Sequence, residues 1–198
     1  MKEYNGTPLY GYYEMDGDGV TPVAEMTLVE KGVFKKMLNG RIPTLKAPES
    51  TGSARFMFSP QSPTVTVGIG TIHIQVDKGV AHAKMKKMLI KAAKDAGQSC
   101  AYIARGIAGS APVVYRVDLK DGKETRVRTA GFRMPDLTKL QKITAISSKE
   151  EVMNTLSNYY PASMIYPAGM IVDGLVIEKT TPKTEKEPAL KVPRQREM

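Results

Sequence analysis

Residues 23–38 constrain the fold more than any other stretch of this chain. Val23-Ala-Glu-Met-Thr-Leu-Val29 and Val33-Phe-Lys-Lys-Met-Leu38 are two β-type runs separated by Glu30-Lys31-Gly32. A short glycine-containing break between such runs marks a hairpin, with glycine where φ must be positive. Two strands alone are not stable in water. The hairpin therefore needs a larger sheet, and the rest of the chain must supply it.

Several segments can. Val113-Val-Tyr-Arg-Val-Asp-Leu119 and Glu124-Thr-Arg-Val-Arg-Thr129 flank Lys120-Asp-Gly-Lys123, an Asp-Gly turn between alternating runs. Val113, Tyr115, Val117 and Leu119 share one face of the first run, while Arg116 and Asp118 share the other. Thr71-Ile-His-Ile-Gln-Val76 alternates and is broken by Asp77-Lys-Gly79; Gln98–Ile103 reads as a buried strand and Met170–Ile177 as a last one. The helical period occurs clearly once, at 81–96, where Met85, Met88, Leu89, Ala92 and Ala96 are predicted to face the core. Lys84, Lys87, Lys91 and Lys94 line the opposite face, and Gly97 stops the helix. Leu137, Leu140, Ile143 and then Ser147-Ser-Lys-Glu-Glu151 predict short helices near 135–158. The expected fold class is α+β: β-rich, with a mainly antiparallel sheet built from hairpins and one firm helix. Residues 1–178 are expected to form a single domain, and 179–198, rich in Lys, Glu and Pro, an extended or mobile tail.

Composition narrows the setting. With 198 residues the chain is large enough to bury a core without a staple. The single Cys100 excludes an intramolecular disulfide, and no long apolar run or signal peptide is visible, so a cytoplasmic protein with no membrane segment is expected. A formal charge of +9 permits acidic partners. The lysine stripe reads either as a phosphate-binding surface or as a solvated helix face whose charge suits the helix dipole; the second is preferred, so nucleic acid is not an expected partner.

Several residues invite a chemical reading. Tyr4, Tyr10, Tyr12 and Tyr13 lie among Gly6, Pro8 and Gly11, as an aromatic wall of a cleft or as rings packed on a sheet. Asp16-Gly-Asp-Gly begins like a calcium loop, but Val20, Thr21 and Thr27 stand where such a loop needs a ligand, a glycine and a bidentate Glu, so a solvated turn is expected. Residues 39–70, with many Gly and Pro and little periodicity, predict a long surface loop. Within it Ser50-Thr-Gly-Ser-Ala-Arg55 offers a glycine, hydroxyls and a guanidinium able to hold a peptide backbone or carboxylate. Ser50, Thr51, Gly52 and Arg55 are the candidate substrate-binding residues; the competing reading has Arg55 paired with a neighbouring acid in a loop that only packs. His73 and His82 are not spaced as metal ligands, and Cys100 reads as a core thiol. No catalytic or metal-ligating residue is expected in this chain.

The order Tyr4-Asn-Gly-Thr-Pro-Leu-Tyr-Gly-Tyr-Tyr13, Asp16-Gly-Asp-Gly-Val20, strand, Glu30-Lys-Gly-Val33, strand and Ser50-Thr-Gly-Ser-Ala-Arg55 resembles the start of the C-terminal domain of the TldD/PmbA family. These are zinc metallopeptidases of the U62 type, also described as modulators of DNA gyrase. The resemblance continues more loosely through 71–96, 113–129 and 171–178. It implies a His-Glu-x-x-x-His helix upstream as the zinc site, and no such motif occurs here. It also implies a third metal ligand, a cysteine some eight residues before a proline resembling Pro161; Met153 stands near that place.

The resemblance therefore implies a non-catalytic C-terminal domain that shapes a peptide-binding cleft. Zinc would belong to the active full-length protein and not to this chain. The implied partners are a missing N-terminal catalytic segment or related subunit, a peptide substrate, and a second chain in a homo- or hetero-dimer. The alternatives are a stand-alone interaction or scaffold module without hydrolytic activity, and below it a nucleic-acid-binding protein.

Overall fold

The structure is a computed structural model that describes residues 1–57, 62, 64–106, 112–128, 130–132, 141–157 and 159–179. Its chain forms two compact units, one of residues 1–83 and 145–170, the other of 84–144 and 171–198. As expected, the fold is α+β and β-rich, with one helix and mostly antiparallel pairing among the described residues.

The first unit opens with Glu3–Tyr4 (β1) and Thr7–Pro8 (β2), joined by Asn5-Gly6 with φ of 49° and 77°. The next hairpin repeats that turn: Val29–Glu30 (β3) and Val33–Phe34 (β4) are joined by Lys31 (φ 49°) and Gly32 (φ 77°). Both central residues are left-handed, the geometry that matches the twist of a two-residue hairpin loop. Glu30 thus pairs with Val33 and belongs to the strand, and the paired region is much shorter than the sequence runs. The predicted loop at 39–70 is corrected in part: Ala54–Met57 (β5) and Thr64–Val67 (β6) pair antiparallel in register Ala54 with Val67. Ala54-Arg-Phe-Met and Thr-Val-Thr-Val have β propensity, but the surrounding Gly and Pro masked it.

Thr71–His73 (β7) lies at one side of a three-stranded sheet. A long antiparallel hairpin supplies its other two strands. They follow the second unit's first passage in the chain, so that unit's elements take the intervening labels. His82–Asp95 (α1) is closed by Gly97 N–H donating to the Lys94 carbonyl and Gln98 N–H to that of Ala93, the double bond of a Schellman cap. Cys100–Arg105 (β8), Val113–Asp118 (β9) and Glu124–Val127 (β10) form an antiparallel sheet in the order β10-β9-β8. Its Ala101, Val117 and Leu119 are buried, packed against Leu89, Ile90, Ala93 and Ile103. The helix therefore turns Met85, Leu89, Ile90 and Ala93 inward, whereas Met88, Ala92 and Ala96, predicted to face the core, are exposed. Met85 is the most buried side chain of the helix, and alanine and methionine tolerate either environment, so their spacing alone did not mark the inward face.

Ala130–Phe132 (β11) pairs with a strand at 177–179 introduced below. Ile143–Ile146 (β12) comes next, then Glu150–Ser157 (β13) and Tyr160–Pro167 (β14), paired from Glu150 with Pro167 to Ser157 with Tyr160. Strand β14 also runs parallel to β7, Ile165 opposite His73. The short helices expected near 135–158 are thus corrected where they can be compared, and their part at 135–140 and residue 158 lie outside the described residues. Glu150–Ser157 pairs with β14 along its whole length, so its partner overrides the cap-like Ser147-Ser-Lys-Glu signal. Ser147 instead turns the chain, its Oγ accepting from Lys149 N–H at 3.0 Å. Met170–Val172 (β15) pairs with β12, and Ile177–Lys179 (β16) with β11. The predicted last strand is therefore two, parted by Gly174 at φ 70°. The expected tail lies outside the described residues beyond Lys179.

Candidate functional site

Asp16, expected in a solvated turn, is buried and central to the first unit. One carboxylate oxygen accepts from Asp18 N–H at 3.0 Å and Val20 N–H at 2.8 Å, closing the turn on itself. The other accepts from Ala54 N–H at 3.0 Å, and Gly17 N–H returns a bond to the Ala54 carbonyl at 2.8 Å. A short acidic side chain does here what a helix N-cap does, satisfying several backbone donors at once. The effect is to fasten the Asp16 turn to β5, and with it the segment just before β5.

That segment is Ser50–Arg55, and each of its candidate residues is engaged. Ser50 Oγ accepts from Gly52 N–H at 3.2 Å. Thr51 Oγ1 accepts from Asn39 N–H at 2.7 Å and lies 2.9 Å from both the Asn39 carbonyl and Ser53 Oγ. The Gly52 carbonyl accepts from the Tyr13 hydroxyl at 2.7 Å. Gly52 has φ 64°, and a Cβ there would stand 2.4 Å from Pro22 Cα, so both conformation and space demand glycine.

Arg55 runs inward. Its guanidinium lies 4.0 Å from the Tyr13 ring centroid and 5.3 Å from that of Tyr160, and Nη2 donates to the Pro161 carbonyl at 2.6 Å. Only 8% of Arg55 is exposed. Burial pushes the Tyr13 hydroxyl pKa up, while the Arg55 charge and hydrogen bonding from Arg55 and Ser53 oppose the shift. Among the described residues no acid pairs with Arg55 in the way the packing alternative required; two aromatic faces and a carbonyl take that place. The four candidate residues are brought together, but on the inner side of the loop, where their polar groups serve the loop's own shape.

Sequence reasoning passed over a second polar cluster. The Tyr4 hydroxyl donates to one oxygen of Glu150, and His73 Nε2 lies 2.9 Å from the other. The Tyr4 and His73 rings meet edge to face at 5.3 Å. Hydrogen bonding from Tyr4 and then from His73 holds the Glu150 carboxyl below the usual range, and the same bond to Glu150 pushes the Tyr4 hydroxyl up. The three residues come from β1, β7 and β13, so no local spacing announces them. Nearby, Asn154 Nδ2 donates to the Pro8 carbonyl at 2.9 Å, and Ser163 Oγ accepts from Gly11 N–H at 2.9 Å. These bonds dock the opening segment on β13 and β14 through its backbone, while the Tyr10 ring stays exposed and the Tyr13 ring lies against Arg55.

The other singled-out residues serve structure. His82 Nδ1 is 3.2 Å from Ser147 Oγ. Cys100 is half-buried, not a core residue; burial raises its thiol, but hydrogen bonds from Tyr102, Arg116 and Ser99 outweigh that and lower it. Lys84, Lys87, Lys91 and Lys94 are exposed, whereas Lys86, beside the stripe, pairs with Glu124 at 2.8 Å. Arg105 holds the other oxygen of Glu124 at 2.8 Å.

Zinc, which the family resemblance implies for an active member, needs thiolate, imidazole or carboxylate ligands in a converging set. Met153 offers a neutral thioether on β13, opposite Met164, and His73 is tied to Glu150. Among the described residues no three His, Cys, Asp or Glu side chains converge as a metal site. These residues do not fit the ion.

Comparison with protein-family models, curated proteins and solved structures returned no match. The functional reading therefore rests on sequence resemblance and geometry. Among the described residues no helix is long and apolar enough to cross a membrane.

Proposed function

We propose that this chain is the non-catalytic C-terminal domain of a TldD/PmbA-type metallopeptidase system in the cytoplasm. It shapes one wall of a peptide-binding cleft, and the zinc helix belongs to another segment or to a partner subunit in a homo- or hetero-dimer. The observation that carries this reading is the Arg55–Pro161 bond of 2.6 Å. Both residues were singled out by the resemblance, 106 positions apart, and they meet where Tyr13 and the Ser50–Gly52 turn also converge. A shared structural role for these residues is what supports the reading. In this reading Ser50–Arg55 gives the wall its shape, and peptide contact comes from the loop's outer surface.

The chemistry would be divided accordingly. The partner's zinc would polarise the peptide carbonyl and activate water, while this chain would hold the peptide in register. Its own residues perform no bond-breaking step. The competing reading, an interaction module without hydrolytic activity, gains support from the exposed apolar hairpin β3–β4.

The test is recovery of the native protein from its source cell with an antibody against the 21.7 kDa chain, followed by sizing and mass spectrometry. Recovery together with a His-Glu-x-x-x-His polypeptide, covalently joined or not, and zinc-dependent peptide hydrolysis by that assembly, is the expected result. A species of 21.7 kDa that hydrolyses nothing and binds no peptide would overturn the proposal.

A further inference from the structure

The chain from Thr21 to Glu49 forms an arm whose base is fastened and whose tip is bare. At the base, Asn39 Nδ2 donates to the Ala47 carbonyl at 2.7 Å, Val23 N–H to that of Thr51 at 3.2 Å, and Arg41 N–H to Asp18 Oδ2 at 2.9 Å. At the tip, β3 and β4 form a sheet of two strands with two residues each, and among the described residues no third strand joins them. Such a ribbon has little stability of its own. Its apolar side chains are also outside: Val29 and Val33 are each 58% exposed, Phe34 62% and Met37 48%. A shallow groove of about 260 Å³ runs beside them, lined by Leu28, Phe34, Lys36, Met37 and Leu38. Apolar side chains gathered around an open strand edge mark an interaction surface.

Two properties select the occupant. The first is the open edge: its unpaired N–H and C=O groups cannot enter hydrocarbon, which excludes insertion of this tip into a lipid core. A protein strand would supply the missing bonds while burying the apolar side chains. The second is charge. Lys35 is paired with Glu30 at 3.2 Å, but Lys31 and Lys36 at the tip are exposed and make no ion pair among the described residues. The surplus is cationic, so an acidic partner is favoured over a basic one or a second copy of the same arm.

We propose that β3–β4 is a docking site for an extended partner segment in which apolar and acidic residues alternate, added as a further strand. The inference does not depend on the peptidase reading, and its failure leaves the reading of Ser50–Arg55 intact.

The experiment uses the full chain and two capped synthetic peptides, one alternating Val with Glu and the other Val with Lys. Amide chemical shifts are followed by NMR and binding by fluorescence anisotropy. The expected result is saturable binding of the acidic peptide, with shifts confined to residues 28–38, roughly tenfold tighter than the basic peptide and weaker in high salt. Phe34→Lys abolishes that binding; because Phe34 is exposed, the circular dichroism spectrum stays unchanged. Val33→Lys, on the same exposed tip, is the second variant should the first not fold. Equal binding of both peptides, or of neither, overturns the proposal. So does self-association of the free protein that Phe34→Lys removes, which would make a second copy the occupant. Phe34-dependent binding to anionic vesicles would likewise overturn it.

Discussion

Replacing Arg55 with alanine separates a residue that shapes a loop from one that only holds a ligand. The side chain is 8% exposed, lies against two tyrosine rings at 4.0 and 5.3 Å, and donates to the Pro161 carbonyl at 2.6 Å. Taking about 1 kcal/mol for the cation–π contacts and about 2 for a hydrogen bond from a charged group, the loss should be about 3 kcal/mol in the absence of any ligand. With a urea m-value of about 2 kcal/mol/M, the midpoint would fall by roughly 1.5 M. The chain has no tryptophan, so unfolding is followed by near-UV circular dichroism of tyrosine, with hydrogen exchange at residues 50–57 as the local readout. Arg55→Lys keeps the charge but loses the planar face against Tyr13, and should recover less than half of the loss. A loss below about 0.5 kcal/mol for Arg55→Ala, the level of an ordinary surface substitution, would refute the reasoning. Arg55 would then be free to act as a ligand-binding group, as the sequence alone had allowed.

Further expected outcomes concern space, pH and core. Gly52→Ala places a Cβ 2.4 Å from Pro22 Cα at φ 64°, whereas Gly6→Ala, at φ 77°, meets nothing within 4 Å. Thermal denaturation should show Gly6→Ala costing about 1 kcal/mol and Gly52→Ala several-fold more; equal losses would deny the close approach. The folded-state pKa of Glu150 is depressed, first by the Tyr4 hydroxyl and then by His73. Its contribution is therefore present above the ordinary glutamate range and lost as pH falls through the depressed value. Glu150→Gln should flatten the acid side of the stability profile below about pH 4.5, and an unchanged profile would show the carboxylate to be uncoupled. Val117, fully buried beside Ala101 and Leu119, should cost about 2–3 kcal/mol when changed to alanine, against less than 1 for Met88→Ala on the exposed helix face. Reversal of that order by chemical denaturation would mean that the helix face had been assigned wrongly.

The sequence revealed what local periodicity controls. Helix α1, the Asp121-Gly122 hairpin and the Lys31-Gly32 turn depend on side-chain period and left-handed glycine, which short windows contain. The pairing of β5 with β6 was hidden because a run rich in Gly and Pro reads as loop unless its partner is known. Strand β13 was hidden for the converse reason: Ser147-Ser-Lys-Glu-Glu151 offers a plausible helix start, and only pairing with β14 along eight residues decides against it. At the site, the same limit acted on single side chains. The segment Ser50–Arg55 stood out because a guanidinium beside glycine and hydroxyls is conspicuous, yet its inward direction depends on Tyr13 and Pro161. The Tyr4–Glu150–His73 cluster combines residues up to 146 positions apart, so no spacing rule finds it.

Asp16 shows how the two kinds of information combine. Its motif was read correctly as a turn, and the calcium reading failed on residue type alone. Its burial could not be read, because that follows from Ala54 N–H, 38 positions away, needing an acceptor at the start of β5. The same carboxylate thus closes a local turn and joins two distant segments, and the joined segments include the ones that carry the family resemblance. A side chain engaged in this way need not touch substrate. The first unit then has two differently built regions: a buried Arg55 region whose polar groups are consumed internally, and a β3–β4 tip whose backbone edge and apolar side chains are left unpaired among the described residues. Groups already satisfied contribute little to binding, whereas unpaired ones contribute once a complementary strand removes them from water. Partner recognition is therefore to be sought at the arm tip, with the Ser50–Arg55 loop fixing the scaffold from which that arm extends.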